Sequence, residues 1–221
     1  MAEIHGKNGG IYLPNGFIRA ATISFNTSDN AINDAGNGLL TAGFTNGKTI
    51  AVSGTVSNNG VWTLAPTGIT AGKMVVTTDN TTELEGQIVT IVTTSGTIAG
   101  GFFDWNLTLT AEAFDVTDFS NAGVKAFIVG QTGWTGSGNR NWVDDTSNPD
   151  NQGWLNAYRW VRFFVKYVAI PSSGTPAYYY EGLAICNSIN STTPNGDVVK
   201  QALTFQGVGA LTPVTRTTAW D

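Results

Sequence analysis

An alternating stretch in the middle of the chain restricts the possible folds more than any other feature. Between residues 105 and 113 apolar and polar side chains alternate without interruption. The apolar positions are Trp105, Leu107, Leu109, Ala111 and Ala113, and the polar positions are Asn106, Thr108, Thr110 and Glu112. A repeat of two residues is typical of a β-strand with one dry face and one polar face. The stretch therefore predicts a strand that the rest of the chain covers on one side.

The composition extends this prediction to the whole chain. Only 12% of the 221 residues are charged, and 27 are glycine, which suits short strands joined by tight turns. A chain of this length can bury a core without disulfides, as one large or two small domains. Cys186 is the single cysteine, so an intrachain disulfide and a cysteine-based zinc site are excluded. The composition predicts a mainly β protein in which Cys186 serves packing.

Two short helices are expected beside the strands. Ser120 or Asn121 can cap the first helix, and Gly130 can end it. The second begins at residues 148–150, where asparagine, proline and aspartate suit a helix start. The apolar faces consist of Val124, Phe127 and Ile128 in the first helix and of Trp154, Leu155 and Tyr158 in the second.

Residues 37–93 differ from the rest of the chain in the length and spacing of their strand patterns. They contain five short strand patterns at close spacing, at 38–44, 49–54, 58–64, 73–78 and 85–91, and Asn59-Gly60 is a strong hairpin signal. We interpret 37–93 as an inserted small all-β module, and 1–36 together with 94–221 as the host β-sandwich. The alternative is one larger sandwich without an inserted module.

The host segments supply the remaining strands. Residues 11–13 and 17–26 suggest a hairpin across the turn at 14–16. Residues 160–170 carry bulky side chains on both faces, which predicts a strand covered on both sides. A strand at 178–188 follows, with residues 198–208 as its expected partner. The segment from 211 onward, with Arg216 and Trp220, has no evident partner within the same subunit, so it is either a free terminus or an arm that docks on a neighbour.

Catalytic and metal sites are not indicated. His5 is the only histidine, which excludes a multi-histidine metal site, and a Ser-His-Asp triad would have to use it. Asp144, Asp145, Asn148 and Asp150 offer oxygen ligands for calcium, but they lack the EF-hand spacing and overlap the expected helix cap. We therefore predict a protein that is not an enzyme and has no cofactor or metal.

The net charge and the hydropathy of the chain restrict the classes of binding partner. A net charge of −5 and a pI near 4.7 argue against a surface that grips nucleic acid, since phosphate binding needs clustered Lys and Arg. No stretch has the apolar length of a membrane helix, and the N-terminus lacks a secretory signal pattern. The expectation is a protein made in the cytoplasm.

Short motifs in order along the chain resemble the major tail tube proteins of long-tailed bacteriophages. They are Asp-Val-Thr-Asp-Phe at 115–119, Gly-Trp-Thr-Gly-Ser-Gly at 133–138, the closing segment 201–213 and the opening segment 5–12. The resemblance covers about residues 1–35 and 94–221. It implies a β-sandwich subunit that forms six-fold rings stacked into a tube for DNA passage and genome ejection, in contact with other tail proteins of the virion. Closing sheets between neighbours would also remove exposed strand edges.

The tube hypothesis gives each candidate residue a role. His5, Arg216 and Trp220 are candidates for contacts between subunits. Glu112 and Glu181 lie on polar strand faces and are candidates for an acidic lumen wall, although alternation does not say which face is inside. The rival hypothesis is a monomeric carbohydrate-binding β-sandwich, suggested by the seven tryptophans. Trp105, Trp154 and Trp160 nevertheless lie on apolar faces, which favours core roles for them.

Overall fold

A computed structural model of the chain describes residues 10–98, 102–117, 124–142, 155, 157–193, 195 and 197–220. All the regular secondary structure in these residues consists of β-strands, so the prediction of a mainly β protein is confirmed. The strands are β1 (Gly10–Pro14), β2 (Phe17–Ala20), β3 (Ile23–Asn26), β4 (Ala31–Asp34), β5 (Thr49–Ser53), β6 (Gly60–Thr63), β7 (Lys73–Val75), β8 (Val89–Thr93), β9 (Gly96–Ile98), β10 (Phe102–Asp115), β11 (Phe127–Asn141), β12 (Tyr158–Lys166), β13 (Ala177–Thr192) and β14 (Lys200–Arg216).

A seven-stranded antiparallel sheet forms the larger part of the fold. Its strand order is β10-β11-β14-β13-β12-β1-β9. The sheet is curled, since Gly138 on β11 lies close to Ile11 of β1, which is four strands away in the sheet order, as well as to Phe102 of the adjacent β10. The concave face encloses an apolar cluster around Phe163, whose ring lies 5.6 Å from Trp105 and 6.2 Å from both Trp134 and Phe205. The strand predicted at 105–113 therefore covers this core with its apolar face, through Trp105 and Leu107.

The opposite face of the sheet carries a smaller aromatic cluster. Phe164 and Tyr179 stack with ring centroids 4.6 Å apart, and Tyr12 joins them. Phe163 and Phe164 are adjacent on β12 and point to opposite faces, where each is almost fully buried. The prediction that this strand is covered on both sides is confirmed.

Two smaller sheets, with strand orders β2-β8-β5-β6 and β3-β4-β7, share a separate core. That cluster contains Ile23, Ile50, Met74 and Ile91, and its buried members all fall between residues 23 and 91. Strands from 17–34 pair with strands from 73–93, so the predicted boundary at residue 36 falls inside these sheets. Four of the five strand patterns expected in 37–93 contain strands, β5 to β8. The fifth pattern, 38–44, forms consecutive turns, with the Ala42 amide donating to the Gly38 carbonyl at 2.8 Å.

The prediction of a helix ending at Gly130 is wrong. Residues 127–130 begin β11, and Phe127 pairs with Asp115 across an antiparallel hairpin. An apolar spacing of three and four residues suits a helix face, but pairing with β10 satisfies the backbone of both strands over a far longer stretch. The second predicted helix lies largely outside the described residues, although its last residue, Tyr158, opens strand β12.

The predicted hairpin between residues 11–13 and 17–26 is also wrong. β1 pairs with β12 and β9, whereas β2 pairs with β8 in a different sheet. Asn15 and Gly16 carry the chain from one sheet to the other instead of reversing it. The later predictions hold, since β12 and β13 form a hairpin and β13 pairs with β14.

Candidate functional site

The most unusual surface is the outer half of the β10–β11 hairpin, residues 108–117 and 124–133, which we name the arm. Pairing continues to its end, from Thr108 opposite Thr135 to Asp115 opposite Phe127. Seven large apolar side chains of the arm are exposed: Leu109, Phe114, Val116, Val124, Phe127, Ile128 and Val129. Val129, the most exposed of them, retains 79% of its accessible surface. The arm therefore presents apolar surface that the described part of the chain leaves uncovered.

Local hydrogen bonds order the end of the arm. The Val116 amide donates to the Ala126 carbonyl, and the Ala126 amide donates to the Thr117 hydroxyl, both at 2.9 Å. Hydrogen bonds from the side chain and the backbone amide of Thr117 lower the pKa of Asp115, which keeps this carboxylate ionised. The apolar surface is thus carried by a hydrogen-bonded hairpin with a charged end.

A cleft opens where the arm leaves the rest of the sheet. β11 pairs with β14 only from Thr135–Gln206 to Asn141–Lys200, and then the two strands diverge. Residues 109–111, 132–134 and 209–211 line the resulting cleft, whose volume is about 410 Å³. Trp134 forms its base, where the indole Nε1 donates to the Gly209 carbonyl at 3.2 Å. The indole lies directly over Gly207 and Gly182, and a side chain at either position would collide with it.

A buried arginine joins the large sheet to the smaller ones. The connector, which we define as residues 14–17 and 93–96, is the pair of segments through which the chain enters and leaves the smaller sheets. Arg162 on β12 donates to the carbonyls of Thr93, Thr94 and Ser95 at 2.9, 3.0 and 3.3 Å. Its Nε also donates to Glu181 at 2.9 Å, and the side chain of Arg162 is only 3% exposed. This arrangement fixes the connector against β12.

The predicted site residues fall in different environments. Glu112 is exposed on the arm, at a register shift between Ala111 and Ala113. Glu181 accepts hydrogen bonds from Arg162 and Trp160, so its charge is already compensated within the subunit. Lumen positions for Glu112 and Glu181 stay predictions, and Glu181 is the weaker of the two for this reason. His5 lies outside the described residues.

The C-terminal segment has partners within its own subunit, contrary to expectation. Residues 211–216 complete β14, and the indole of Trp220 donates to the Val168 carbonyl at 2.8 Å. The Trp220 ring stacks at 6.2 Å from Tyr167, and the Arg216 guanidinium lies 4.4 Å from its centre. Contacts of Arg216 and Trp220 with a neighbouring subunit stay predictions, but both residues already hold the end of the chain in place.

Replacing Trp220 with alanine is expected to lower the free energy of unfolding by about 2 kcal/mol, because a partly buried aromatic ring leaves its cluster. Urea unfolding measures the change. The matched control is Trp142→Ala, which removes an exposed ring and should cost less than about 0.5 kcal/mol. Equal losses in the two variants would contradict the packing role of Trp220.

Sequence reasoning missed the arm and the Arg162 cluster. The sequence pattern predicts a helix for Val124, Phe127 and Ile128 of the arm, whereas Leu109 belongs to the strand predicted at 105–113. Arg162 lies in the bulky strand predicted at 160–170, where the pattern gives it no separate role. A charged residue among large apolar neighbours indicates a buried ion pair, and this pattern around Arg162 could have predicted the cluster.

Chemistry-bearing clusters are lacking in the part of the chain that the structure describes. No group of three or more His, Cys, Asp or Glu side chains there is placed to hold a metal ion. The same residues include no helix with the length and hydropathy to span a membrane. Burial raises the pKa of the Cys186 thiol, which agrees with the packing role expected for it.

Solved structures that are similar to this chain include two from gene transfer agent particles. The first is a chain from the virion of a native gene transfer agent (GTA) particle, with 18% identity, 54% of this chain and 88% of that chain covered, and a TM-score of 0.42. The second is from the tail of an empty GTA particle with C6 symmetry, with 16% identity, 54% and 86% covered, and a TM-score of 0.43. No family model and no curated protein match the chain.

Proposed function

We propose that the chain is a structural subunit of a phage-type virion tail, which assembles with copies of itself into stacked six-fold rings. The observation that carries this proposal is the exposed apolar arm. If each of its seven side chains offers on the order of 100 Å², the arm presents roughly 700 Å², close to the ~800 Å² per partner of a standard interface. Consecutive side chains such as Ile128 and Val129 point to opposite faces of β11, so this surface extends over both faces of the hairpin, and exposed apolar surface on this scale marks an interaction site.

The open edges of the large sheet support the same proposal. β10 is the outermost strand at one side of the sheet, and among the described strands its fourteen residues pair with β11 alone. A long unpaired edge invites pairing with another chain, and closed assembly removes that hazard. The six-fold number and the tube follow from the family resemblance in the sequence. In such a tube the excess of acids over bases suits a channel through which DNA passes without adhering.

The domain arrangement is part of the proposal. We place the boundaries of the inserted module at about residues 15 and 95, because the two smaller sheets and their core lie between them. The module then lies outside the tube, held to the ring-forming sheet by Arg162. Other tail proteins would contact the ends of the tube, and assembly would take place in the host cytoplasm.

A carbohydrate-binding module ranks second. Sugar recognition by stacking needs exposed aromatic platforms. Among the described residues, Trp134 is buried, Trp62 and Trp105 pack against the cores, and Trp142 is the exposed tryptophan. This distribution favours the structural role, in which the protein performs no catalysis.

The arm provides the test of this function. Phe114 and Ile128 face each other across the hairpin, so Phe114→Ser with Ile128→Ser removes one cross-strand pair of apolar side chains. In sedimentation velocity the unaltered protein should form large species as its concentration rises. The double variant should stay monomeric at concentrations at least tenfold higher, because the apolar contact has been removed.

Leu84→Ser with Ile88→Ser is the matched control, since both side chains are exposed but lie outside the arm. The control should assemble like the unaltered protein. Normal assembly of the arm variant would contradict the proposal, and so would monomers at every concentration of the unaltered protein.

A further inference from the structure

The cleft between β11 and β14 has two strand edges that face each other without a strand between them. On one side, β11 from residue 127 to 134 pairs with β10 alone. On the other side, β14 pairs with β13 alone at residues 207–208 and 212–215, with a register shift between the two stretches. These statements concern strands that the structure describes in full. Backbone groups that point outward along such edges can pair with a further strand, except that the Gly209 carbonyl already accepts from Trp134 and Pro213 has no amide.

The chemistry of the cleft is apolar and uncharged. Leu109, Trp134 and Leu211 supply its large side chains, and no Asp, Glu, Lys or Arg is among the residues that line it. An occupant that brings apolar side chains on a strand would satisfy both the surface and the edges. A charged or strongly polar ligand would find no partner of opposite charge among the lining residues.

The arm has the matching properties. It is an extended hairpin with apolar side chains on its surface, and its β10 strand has a free outer edge. We propose that the cleft of one subunit receives the arm of a second copy of this chain, with β10 of the incoming arm beside β14. The six exposed apolar side chains beyond Leu109, on both faces of the hairpin, offer roughly 600 Å² at about 100 Å² each, the lower end of what one partner of a specific interface contributes.

The geometry of this contact determines what it can build. The part of the arm beyond the cleft, residues 112–117 and 124–131, is separate from the cleft, and each subunit has one of each. The contact is therefore head-to-tail, and repeating it gives a closed ring or an open helical stack, whereas a two-fold contact would end at a dimer. This inference rests on the proposed function and assigns the two surfaces that would meet in the assembly.

Disulfide trapping tests the docking directly. Ala113 is exposed on β10 of the arm and Ala210 is exposed at the cleft, and the native Cys186 is buried. A chain that carries both Ala113→Cys and Ala210→Cys is assembled, oxidised and run on a denaturing gel without reductant. We expect a ladder of linked dimers, trimers and larger species, because each subunit contributes one arm and one cleft. The control chain carries Val61→Cys, on the module strand β6, in place of Ala113→Cys. It should give at least tenfold less linked product.

The outcomes separate this inference from the proposed function, provided that the same samples are viewed by electron microscopy. Rings or tubes without a ladder would overturn the docking and leave the structural role standing. A linked dimer from either single variant, without a ladder from the double variant, would indicate a two-fold contact and overturn the docking. Dispersed monomers without links would overturn both.

Discussion

Replacing Arg162 with methionine is expected to lower the free energy of unfolding by about 3 kcal/mol, the lower end of the usual cost of breaking a buried ion pair. Methionine keeps much of the apolar stem but donates no hydrogen bonds. The carbonyls of Thr93 and Ser95 would lose their guanidinium partner, and the largely buried Glu181 carboxylate would lose its counter-ion. Each loss carries a desolvation cost.

Chemical denaturation measures the stability loss, and hydrogen exchange locates it. The amides of residues 93–96 should exchange faster in the Arg162→Met variant, because the connector is no longer held against β12. Lys73→Met is the control, since the Lys73–Asp29 pair is about two-fifths exposed and should contribute less than about 1 kcal/mol. A loss below that of the control would show that Arg162 does not fix the connector.

Replacing Gly207 with alanine is expected to cost about 2–3 kcal/mol, the range for overpacking a well-filled site. The added methyl group would overlap the indole of Trp134, a rigid side chain that is only 2% exposed. The ring would have to leave its position over the sheet and give up its hydrogen bond to Gly209. The base of the cleft would then change shape, so assembly should weaken together with stability.

Gly133→Ala is the matched control, one residue before Trp134 on the same strand. A methyl group there meets its nearest neighbour, the Thr110 hydroxyl, at 3.5 Å, which is an ordinary contact. Thermal and urea unfolding should show little change for this variant. If Gly133→Ala and Gly207→Ala were equally stable, the close packing of Trp134 on Gly207 would not be a constraint on the fold.

The local patterns of the sequence were sufficient for the strands but not for their partners. The alternation at 105–113, the bulky strand at 160–170 and the return strand after it all appear as β10, β12 and β13. Which strands pair with each other depends on contacts between residues far apart in the sequence. β1 pairs with β12 at Tyr12–Arg162, and β2 pairs with β8 at Phe17–Val92, across separations that no local signal specifies. The expected hairpin at residues 11–26 failed for this reason.

The candidate site was predicted least well, because its residues carry ambiguous patterns. Val124, Phe127 and Ile128 fit one face of a helix, and Gly130 fits a helix end. In the structure Gly130 lies opposite the register shift at Glu112, close to the Phe114 ring. Exposure of these apolar side chains depends on how far the hairpin extends beyond the sheet, which is a tertiary property. Glu181 is expected on a polar strand face, whereas its side chain is largely buried and pairs with Arg162, a partner that comes from strand register.

We propose that copies of this chain assemble head-to-tail through the arm into rings that surround a channel. Electron microscopy of the purified, unaltered protein, with class averages viewed down the assembly axis, tests this assembly most directly. We expect rings or stacked tubes with six-fold symmetry and an open centre. Monomers or closed two-fold dimers at every protein concentration would contradict it.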